Sequence, residues 1–233
     1  MKIFRDIIAP LLFAVVAAVV SVVWLQSLCR VESAAEAVPE SELLSEEECE
    51  ISIYDNVFRR VGRMCGIDWR LMSAIAYSES RFCGDAVSPR GAVGLMQIMP
   101  HVAHEYGMTD EDLLDPILNI ELAAKIIKSV EKMMHLPRKV PLRDRTALML
   151  ACYNGGYAHI TDARNLAAYY GEDCHSWEVV AEYLELLAES DFYEHEAVSY
   201  GEFTGSGETI KYVDTVMSRY DKYCRAFSPD DGA

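Results

Sequence analysis

The sequence predicts a mainly α-helical protein, with a single globular domain that follows an N-terminal membrane-spanning helix. The chain has 233 residues, 51% of them apolar, which suffices for one core but not for two full domains. After residue 51, apolar residues recur at helical spacing through most of the chain, and no stretch shows sustained alternation of apolar and polar residues. Close to the N-terminus, one long apolar run has the length that a bilayer requires.

Residues 1–30 contain this run, which extends from Ile7 to Leu28 and follows two basic residues. The run ends in bulky residues such as Trp24 and Leu25, whereas a cleaved signal peptide ends in small ones. We therefore expect an uncleaved signal-anchor with its short basic end in the cytoplasm and the remaining chain outside it. A cleaved leader and a lipoprotein modified at Cys29 are the alternatives.

An acidic segment follows, since residues 31–50 contain eight glutamates and no lysine or arginine. This composition predicts a solvated tether between the anchor and a globular domain at residues 51–227, with a short tail at 228–233. The whole chain has 37 acidic and 21 basic residues, for a net charge of −16. A nucleic-acid partner is not expected, because phosphate binding requires a basic surface.

Cysteine and histidine residues give no metal-binding pattern. His101 and His104 are three residues apart, but no acidic residue completes a ligand set, so we expect no metal and no cofactor. Outside the cytoplasm disulfides are permitted, yet several of the cysteines lie on apolar helical stretches, so that bridges and buried thiols both remain open. Six cysteines follow Cys29: Cys49, Cys65, Cys83, Cys152, Cys174 and Cys224.

The first part of the domain predicts a helix, a loop and a second helix. A helix is expected to end near Ser80, with Asp68 as its N-cap and Gly84 just past its end. The segment GDAVSPRGAVGLMQIMP, residues 84–100, is rich in glycine, serine and proline and predicts a loop with a short hairpin or irregular element. Helical periodicity resumes at His101.

The remaining segments are predicted to be helices. In NIELAAKIIKSVEKMM, residues 119–134, one apolar face is typical of a packing helix and contains Ile120, Ala123, Ile127, Val130 and Met134. Asp144 is predicted to cap the helix in RTALMLACYN, residues 145–154, which two glycines end. Further helices are expected at residues 162–171, 176–190 and 208–224.

Glu79 is a charged residue on the apolar side of a predicted helix. Ile75, Met72 and Leu71 precede it by four, seven and eight residues, so the carboxyl group should point to the core. Desolvation and the negative end of the helix dipole both favour its protonated form. Such a group is suited to general acid catalysis of glycoside cleavage, although a core glutamate held by one hydrogen bond would give the same pattern.

Four segments around Glu79 resemble a known family. AYSESRF at 76–82, GAVGLMQIMP at 91–100, ACYNGG at 151–156 and ETIKYV at 208–213 are similar to the motifs of the soluble lytic transglycosylase (SLT) domain. The resemblance covers residues 52–225 and implies a lysozyme-like fold of the goose type. Residues 157–180 further resemble the catalytic domain of the membrane-bound lytic transglycosylase F group.

The resemblance implies a function and a set of site residues. The enzyme would cut peptidoglycan strands at the β-1,4 bond between N-acetylmuramic acid and N-acetylglucosamine and form 1,6-anhydro-N-acetylmuramic acid, in the periplasm. Glu79 would be the sole acid and base, because the 6-hydroxyl of the sugar replaces water as the nucleophile. The residues that match substrate-binding positions of the family are Ser88, Gln97, Tyr153, Asn154 and Tyr212.

Other interpretations of these residues remain open. Ser88 precedes a proline and is also typical of a turn, and Tyr212 continues an apolar stripe of its helix, as a core residue would. Most glycosidases pair the acid with a second carboxylate, and the nearest in sequence is Asp85, although its turn-like segment GDAVSP favours a surface or capping role. A hydrolytic muramidase on the same fold, with water in place of the 6-hydroxyl, is an alternative function. A non-catalytic wall-binding or secretion-assembly protein is the remaining alternative, against which the retention of a buried acid counts.

Overall fold

The computed structural model describes residues 50–227, and within this range the regular secondary structure is helical, as predicted. A short 3₁₀ turn spans Asp112–Leu114. The α-helices are α1 (Asp55–Cys65), α2 (Trp69–Ser80), α3 (Pro100–Glu105), α4 (Pro116–Met133), α5 (Leu142–Gly155), α6 (Tyr157–Tyr169), α7 (Trp177–Leu186), α8 (Ser190–Tyr193) and α9 (Ser206–Ala226).

The predicted signal-anchor, the tether up to residue 49 and the tail from residue 228 lie outside the described residues. Between residues 50 and 227, no helix combines the length and the apolarity that crossing a bilayer requires. Five cysteines in this range, Cys65, Cys83, Cys152, Cys174 and Cys224, are free thiols, and Cys49 lies outside it. Cys152 is buried in the core, and this burial raises its pKa to about 12.

Helix α5 is central to the core. Seven consecutive residues of α5, 146–152, are buried, which is typical of a helix with neighbours on all sides. Helices α4, α6, α7 and α9 pack around it, and α2 packs between α1 and α9. The predicted apolar face of α4 is buried as expected, and so is Met134 just past the helix; the buried residues of the face are Ile120, Ala123, Ile127 and Val130. The arrangement brings the ends of α2, α5 and α9 together.

Helix α2 begins and ends where predicted, after Asp68 and at Ser80, but Gly84 is not the residue that follows its end. The Asp68 carboxylate accepts a hydrogen bond from the Arg70 amide at 2.9 Å, which confirms the N-cap. Gly84 does not end the helix, because the chain turns at Arg81 and Phe82, whose φ angles are 55° and 64°. Two adjacent non-glycine residues in the left-handed region are uncommon. The turn carries Phe82 back to the core, where its ring lies 5.7 Å from that of Tyr77.

Asp144 does not cap its own helix. It lies in the first turn of α5, whose N-cap residue is Pro141, and its side chain accepts a hydrogen bond from the Trp177 amide at 2.9 Å. Asp144 therefore stabilises the start of α7. The prediction had the correct type of interaction but assigned it to the wrong helix.

The predicted irregular hairpin is present between α2 and α3. Val93 forms isolated antiparallel bridges with Val87 and with Ile98. The buried side chain of Asn119, on α4, fixes this segment: its oxygen accepts from the Met96 amide at 2.7 Å, and its nitrogen donates to the Leu113 carbonyl at 3.0 Å. Gly94 has φ 82°, and a Cβ at this position would overlap Asn119 and the Leu113 oxygen.

Candidate active site

Glu79 lies in the last turn of α2. The residues on the same side of the helix, Met72 and Ile75, are fully buried, as the periodicity predicts. The phenol of Tyr212, on α9, donates a hydrogen bond to Oε1 of Glu79 at 2.7 Å. Burial raises the pKa of the Glu79 carboxyl to about 7, and the hydrogen bond from Tyr212 lowers it to a smaller extent. The carboxyl group therefore titrates near neutral pH rather than in the acidic range of an ordinary glutamate.

Tyr153 approaches Glu79 from the end of α5. Burial raises the pKa of the Tyr153 phenol well above its ordinary value, and the negative charge of Glu79 raises it further. Its hydroxyl donates to the Met96 carbonyl at 2.9 Å, so the phenol also holds the hairpin against α5. Tyr153 and Tyr212 thus face the acid from two different helices, and the role of Tyr212 extends beyond packing.

Gln97 is at the tip of the hairpin, with φ 49°. Its side-chain nitrogen donates to the Gly94 carbonyl at 2.9 Å and to the Ala86 carbonyl at 3.0 Å. Both N–H groups of the amide are therefore used within the loop, and only the side-chain oxygen remains for a ligand.

Ser88 closes the turn before the hairpin. Its hydroxyl oxygen accepts from the Ala92 amide at 2.9 Å, and its own amide donates to the Ala92 carbonyl at 2.9 Å. Ser88 is thus a turn-forming residue, as the alternative interpretation expects. The hydroxyl proton can still be donated to a ligand, because a hydroxyl accepts and donates at the same time.

Asn154 is exposed at the C-terminal end of α5. Its side-chain oxygen accepts from the hydroxyl of Thr209 at 3.1 Å, and Thr209 is almost fully buried. Gly155 leaves the room for this contact, since a Cβ there would lie 2.7 Å from the Thr209 oxygen. Sequence reasoning missed Thr209, although it lies inside the ETIKYV motif.

Ser80 is a second residue that the sequence did not single out. Its hydroxyl is 2.8 Å from the Leu95 carbonyl, to which it donates a hydrogen bond. This contact ties the end of α2 to the hairpin. The sequence signal is only its position directly after Glu79.

Asp85 does not share the environment of Glu79. It is exposed, and the Cys83 thiol lies 3.0 Å from its Oδ1. The hydrogen bond from Cys83 lowers the pKa of the Asp85 carboxyl. The two carboxyl groups therefore differ in the direction of their pKa shift: that of the exposed Asp85 is lowered, and that of the partly buried Glu79 is raised. The pKa of Glu79 depends on burial and on the hydrogen bond from Tyr212.

Histidines and acidic residues form no metal-binding group of three or more within residues 50–227. His104 pairs with Asp110 at 2.7 Å on the surface. His159 stacks on Phe203 with 4.5 Å between ring centroids.

Comparison with known proteins finds the same family for most of the described domain. Residues 56–173 match the family model described as the transglycosylase SLT domain. A membrane-bound lytic murein transglycosylase F from Marinobacter nauticus is 36% identical over 177 residues, which are 76% of this chain and 34% of the relative. Its namesake from Cronobacter sakazakii is 38% identical over 150 residues, which are 64% of this chain and 28% of the relative. The chain spans about a third of the length of such relatives.

A solved structure supports the fold. The X-ray structure of an inactive mutant of the lytic transglycosylase Slt from Pseudomonas aeruginosa superimposes with a TM-score of 0.51 at 23% identity. The superposition covers 76% of this chain and 25% of the other.

Proposed function

The chain belongs to the transglycosylase SLT domain family, and from this premise we propose that it is a peptidoglycan lytic transglycosylase with Glu79 as its sole acid and base. The substrate is the β-1,4 bond between N-acetylmuramic acid and N-acetylglucosamine, and the product ends in 1,6-anhydro-N-acetylmuramic acid. The observation that carries the proposal is the partly buried Glu79 carboxyl, whose pKa of about 7 lets it both give and take a proton at neutral pH.

In the first step, protonated Glu79 donates its proton to the glycosidic oxygen as the bond from C1 to that oxygen breaks. Oε1 accepts from Tyr212, so the transferable proton lies on Oε2. A positively charged oxocarbenium-like sugar forms, and the leaving strand departs with the proton as its new hydroxyl group.

In the second step, the 6-hydroxyl of the same muramic residue attacks C1. The Glu79 carboxylate accepts the proton of that hydroxyl, and a 1,6-anhydro ring forms. The phenol of Tyr212 stabilises the carboxylate between the two steps through its hydrogen bond. Glu79 is protonated again at the end, so the reaction consumes no water and requires no second carboxylate.

The other predicted site residues are proposed as sugar contacts. The side-chain oxygen of Gln97 would accept from a hydroxyl or acetamido N–H, and the amide nitrogen of Asn154 would donate. Ser88 would donate its hydroxyl proton. Tyr153 orients the hairpin through Met96 and presents its ring to the sugar. These contacts would place the reacting bond against Oε2 of Glu79.

We further propose that residues 51–227 form the catalytic domain, held outside the cytoplasm by a membrane anchor at residues 1–30 and the tether at 31–50. Support comes from the apolar run of the anchor and from the word "membrane-bound" in the names of the relatives. Cell fractionation tests this. Recovery of the full-length chain in the membrane pellet after a high-salt wash is expected, and a shortened soluble chain would contradict it.

The proposed activity is tested by incubating purified wall sacculi with the full chain and with Glu79→Gln. The variant keeps the size of the side chain but has no carboxyl proton, so cleavage should fall by roughly 10²–10⁴-fold while binding to sacculi persists. Glu185→Gln, at an exposed position of α7, is the matched control and should cleave normally. Cleavage at the native rate by Glu79→Gln would overturn the proposal.

A further inference from the structure

Helix α2 carries the acid, Glu79, and helix α9 carries its hydrogen-bond partner, Tyr212; the two helices are also joined far from this pair. Glu79, near the end of α2, meets Tyr212 near the start of α9. At the opposite end, the Tyr220 phenol donates to Oδ2 of Asp68, the N-cap residue of α2, at 2.8 Å. The two helices are therefore antiparallel and share a phenol–carboxylate hydrogen bond at each end.

Arg70 reinforces the second contact. Its guanidinium is buried and donates to both oxygens of Asp68, at 3.0 Å from Nε and 2.6 Å from Nη2. Its Nη1 donates to the Phe227 carbonyl, just past the end of α9, at 2.8 Å. The ring of Phe227 in turn lies 5.9 Å from that of Trp69, edge to face. The Asp68–Arg70 ion pair therefore contacts the C-terminal part of α9 at two points, the Tyr220 phenol and the Phe227 carbonyl.

The spacing along the two helices explains why the Asp68–Tyr220 hydrogen bond affects the Glu79–Tyr212 hydrogen bond. Asp68 and Glu79 are 11 residues apart, about 16 Å of α-helix, and Tyr212 and Tyr220 are 8 apart, about 12 Å. A slide of α9 by one residue moves its side chains about 1.5 Å, enough to break a 2.7 Å hydrogen bond. Between the two ends, the Arg219 guanidinium lies over the Tyr77 ring at 3.6 Å, a contact that tolerates small shifts better than a hydrogen bond does.

We propose that Asp68 and Tyr220 are positioning residues for the Glu79–Tyr212 pair: their hydrogen bond fixes the axial register of α9 on α2. They touch neither the acid nor a sugar and act only through the two helices. The inference rests on the proposed function for its catalytic meaning, but the register itself is a property of the fold.

A change in the register of α9 can be measured as a change in the pKa of Glu79, because few groups influence that pKa. The pKa of Glu79 is raised by burial and lowered by the hydrogen bond from Tyr212, and Tyr153 is the other phenol that faces it, from α5. When the register loosens, the Tyr212 bond lengthens and the pKa of Glu79 rises. Loss of stability alone would leave that pKa unchanged.

The experiment is a ¹³C NMR titration of the Glu79 carboxyl in the full chain, with Tyr220→Phe, Tyr212→Phe and the double variant. Tyr212→Phe should raise the pKa of Glu79 by about one pH unit, because a hydrogen bond to the charged form is lost. Tyr220→Phe should raise it by a measurable part of that shift. The double variant should match Tyr212→Phe alone, since the register acts only through that bond.

Tyr157→Phe is the matched control. Its phenol donates to the Met133 carbonyl at 3.0 Å, so the substitution also removes one hydrogen bond between helices, but between α6 and α4. It should lower the melting temperature without moving the pKa of Glu79. If Tyr220→Phe does not fold, Asp68→Asn replaces it. This variant keeps a capping oxygen but weakens the hydrogen bonds that Asp68 accepts from Tyr220 and from the Arg70 guanidinium.

An unchanged pKa of Glu79 in folded Tyr220→Phe or Asp68→Asn would overturn the proposal. A further rise of the pKa in the double variant would also overturn it, because Tyr220 would then act on Glu79 by another route. Wild-type chain that fails to cut sacculi would count against the proposed function alone, since the titration does not depend on activity.

Discussion

The phenol of Tyr212 donates a 2.7 Å hydrogen bond to Glu79 across 133 residues of sequence. The contact opposes the effect of burial, because burial favours the neutral acid and the phenol favours the carboxylate. The pKa of about 7 is the balance of the two. A residue that must be an acid in one step and a base in the next works best near such a balance.

Removal of this phenol should move the pH profile of cleavage. The reaction starts from protonated Glu79, so kcat/KM falls as pH rises above the pKa of the free enzyme, about 7. Tyr212→Phe raises that pKa, and the falling limb should shift to higher pH while kcat decreases. Initial rates on sacculi between pH 5 and 9 measure this. Tyr106→Phe, at an exposed position, should leave the limb in place, and a shift to lower pH in Tyr212→Phe would contradict the account.

Burial of Glu79 should also reduce stability at neutral pH. Its pKa rises from 4.5 in the unfolded chain to about 7 on folding, so the folded state binds more protons between these values. The stabilising contribution of the neutral acid is complete below pH 4.5 and is lost as pH rises through 7. The shift corresponds to roughly 3 kcal/mol.

Glu79→Gln should therefore be more stable than the wild type at pH 8, by up to roughly 3 kcal/mol, and similar to it at pH 4. Urea unfolding at the two pH values measures the difference in the free energy of unfolding. Equal stabilities of the two proteins at pH 8 would contradict this, because they would show that ionisation of Glu79 does not destabilise the folded state.

Asn154 and Thr209 should behave as one unit. Thr209→Val keeps the shape of the side chain and removes the hydroxyl that holds the Asn154 oxygen, so kcat/KM should fall by roughly 10-fold, as for one lost hydrogen bond. Asn154→Ala should have at least this effect, and Thr209→Val should add little to it in a double-mutant cycle. Thr215→Val is the control, since its hydroxyl bonds only within α9. Fully additive effects would argue against the coupling.

The hairpin should depend on Gly94. Gly94→Ala adds a Cβ against Asn119 and the Leu113 carbonyl in addition to the cost of a positive φ, so unfolding should become easier by roughly 3 kcal/mol. Gly91→Ala has a similar φ of 85° but open space around the Cβ and should cost only about 1 kcal/mol. Equal losses for the two variants in urea unfolding would contradict the packing argument.

The sequence predicted the features of the site that are local. Glu79 was located by helical periodicity, and the cap at Asp68 by residue type, because both depend on neighbours a few positions away. The motif resemblance added Tyr212, which periodicity alone could not separate from a core residue. Its contact with Glu79 joins the start of α9 to the end of α2.

Features that depend on packing between elements were not predictable. Asp144 accepts a hydrogen bond from the first residue of α7, Trp177, 33 residues further along the chain, because the start of α5 packs against the start of α7. The Gln97 amide donates to carbonyls that only the folded hairpin brings together. Arg81 and Phe82 take the left-handed conformation that sequence reasoning reserves for glycine, and the packing of Phe82 against Phe58 and Tyr77 accompanies it.

The most direct test of the central claim, that Glu79 alone acts as acid and base, is mass spectrometry of glycan strands digested by the full chain in H₂¹⁸O. If the 6-hydroxyl is the nucleophile, products end in 1,6-anhydro-N-acetylmuramic acid and carry no ¹⁸O, because no water enters the bond. Reducing ends that contain ¹⁸O would show hydrolysis by a muramidase. That result would contradict the account and require a second group to position the water.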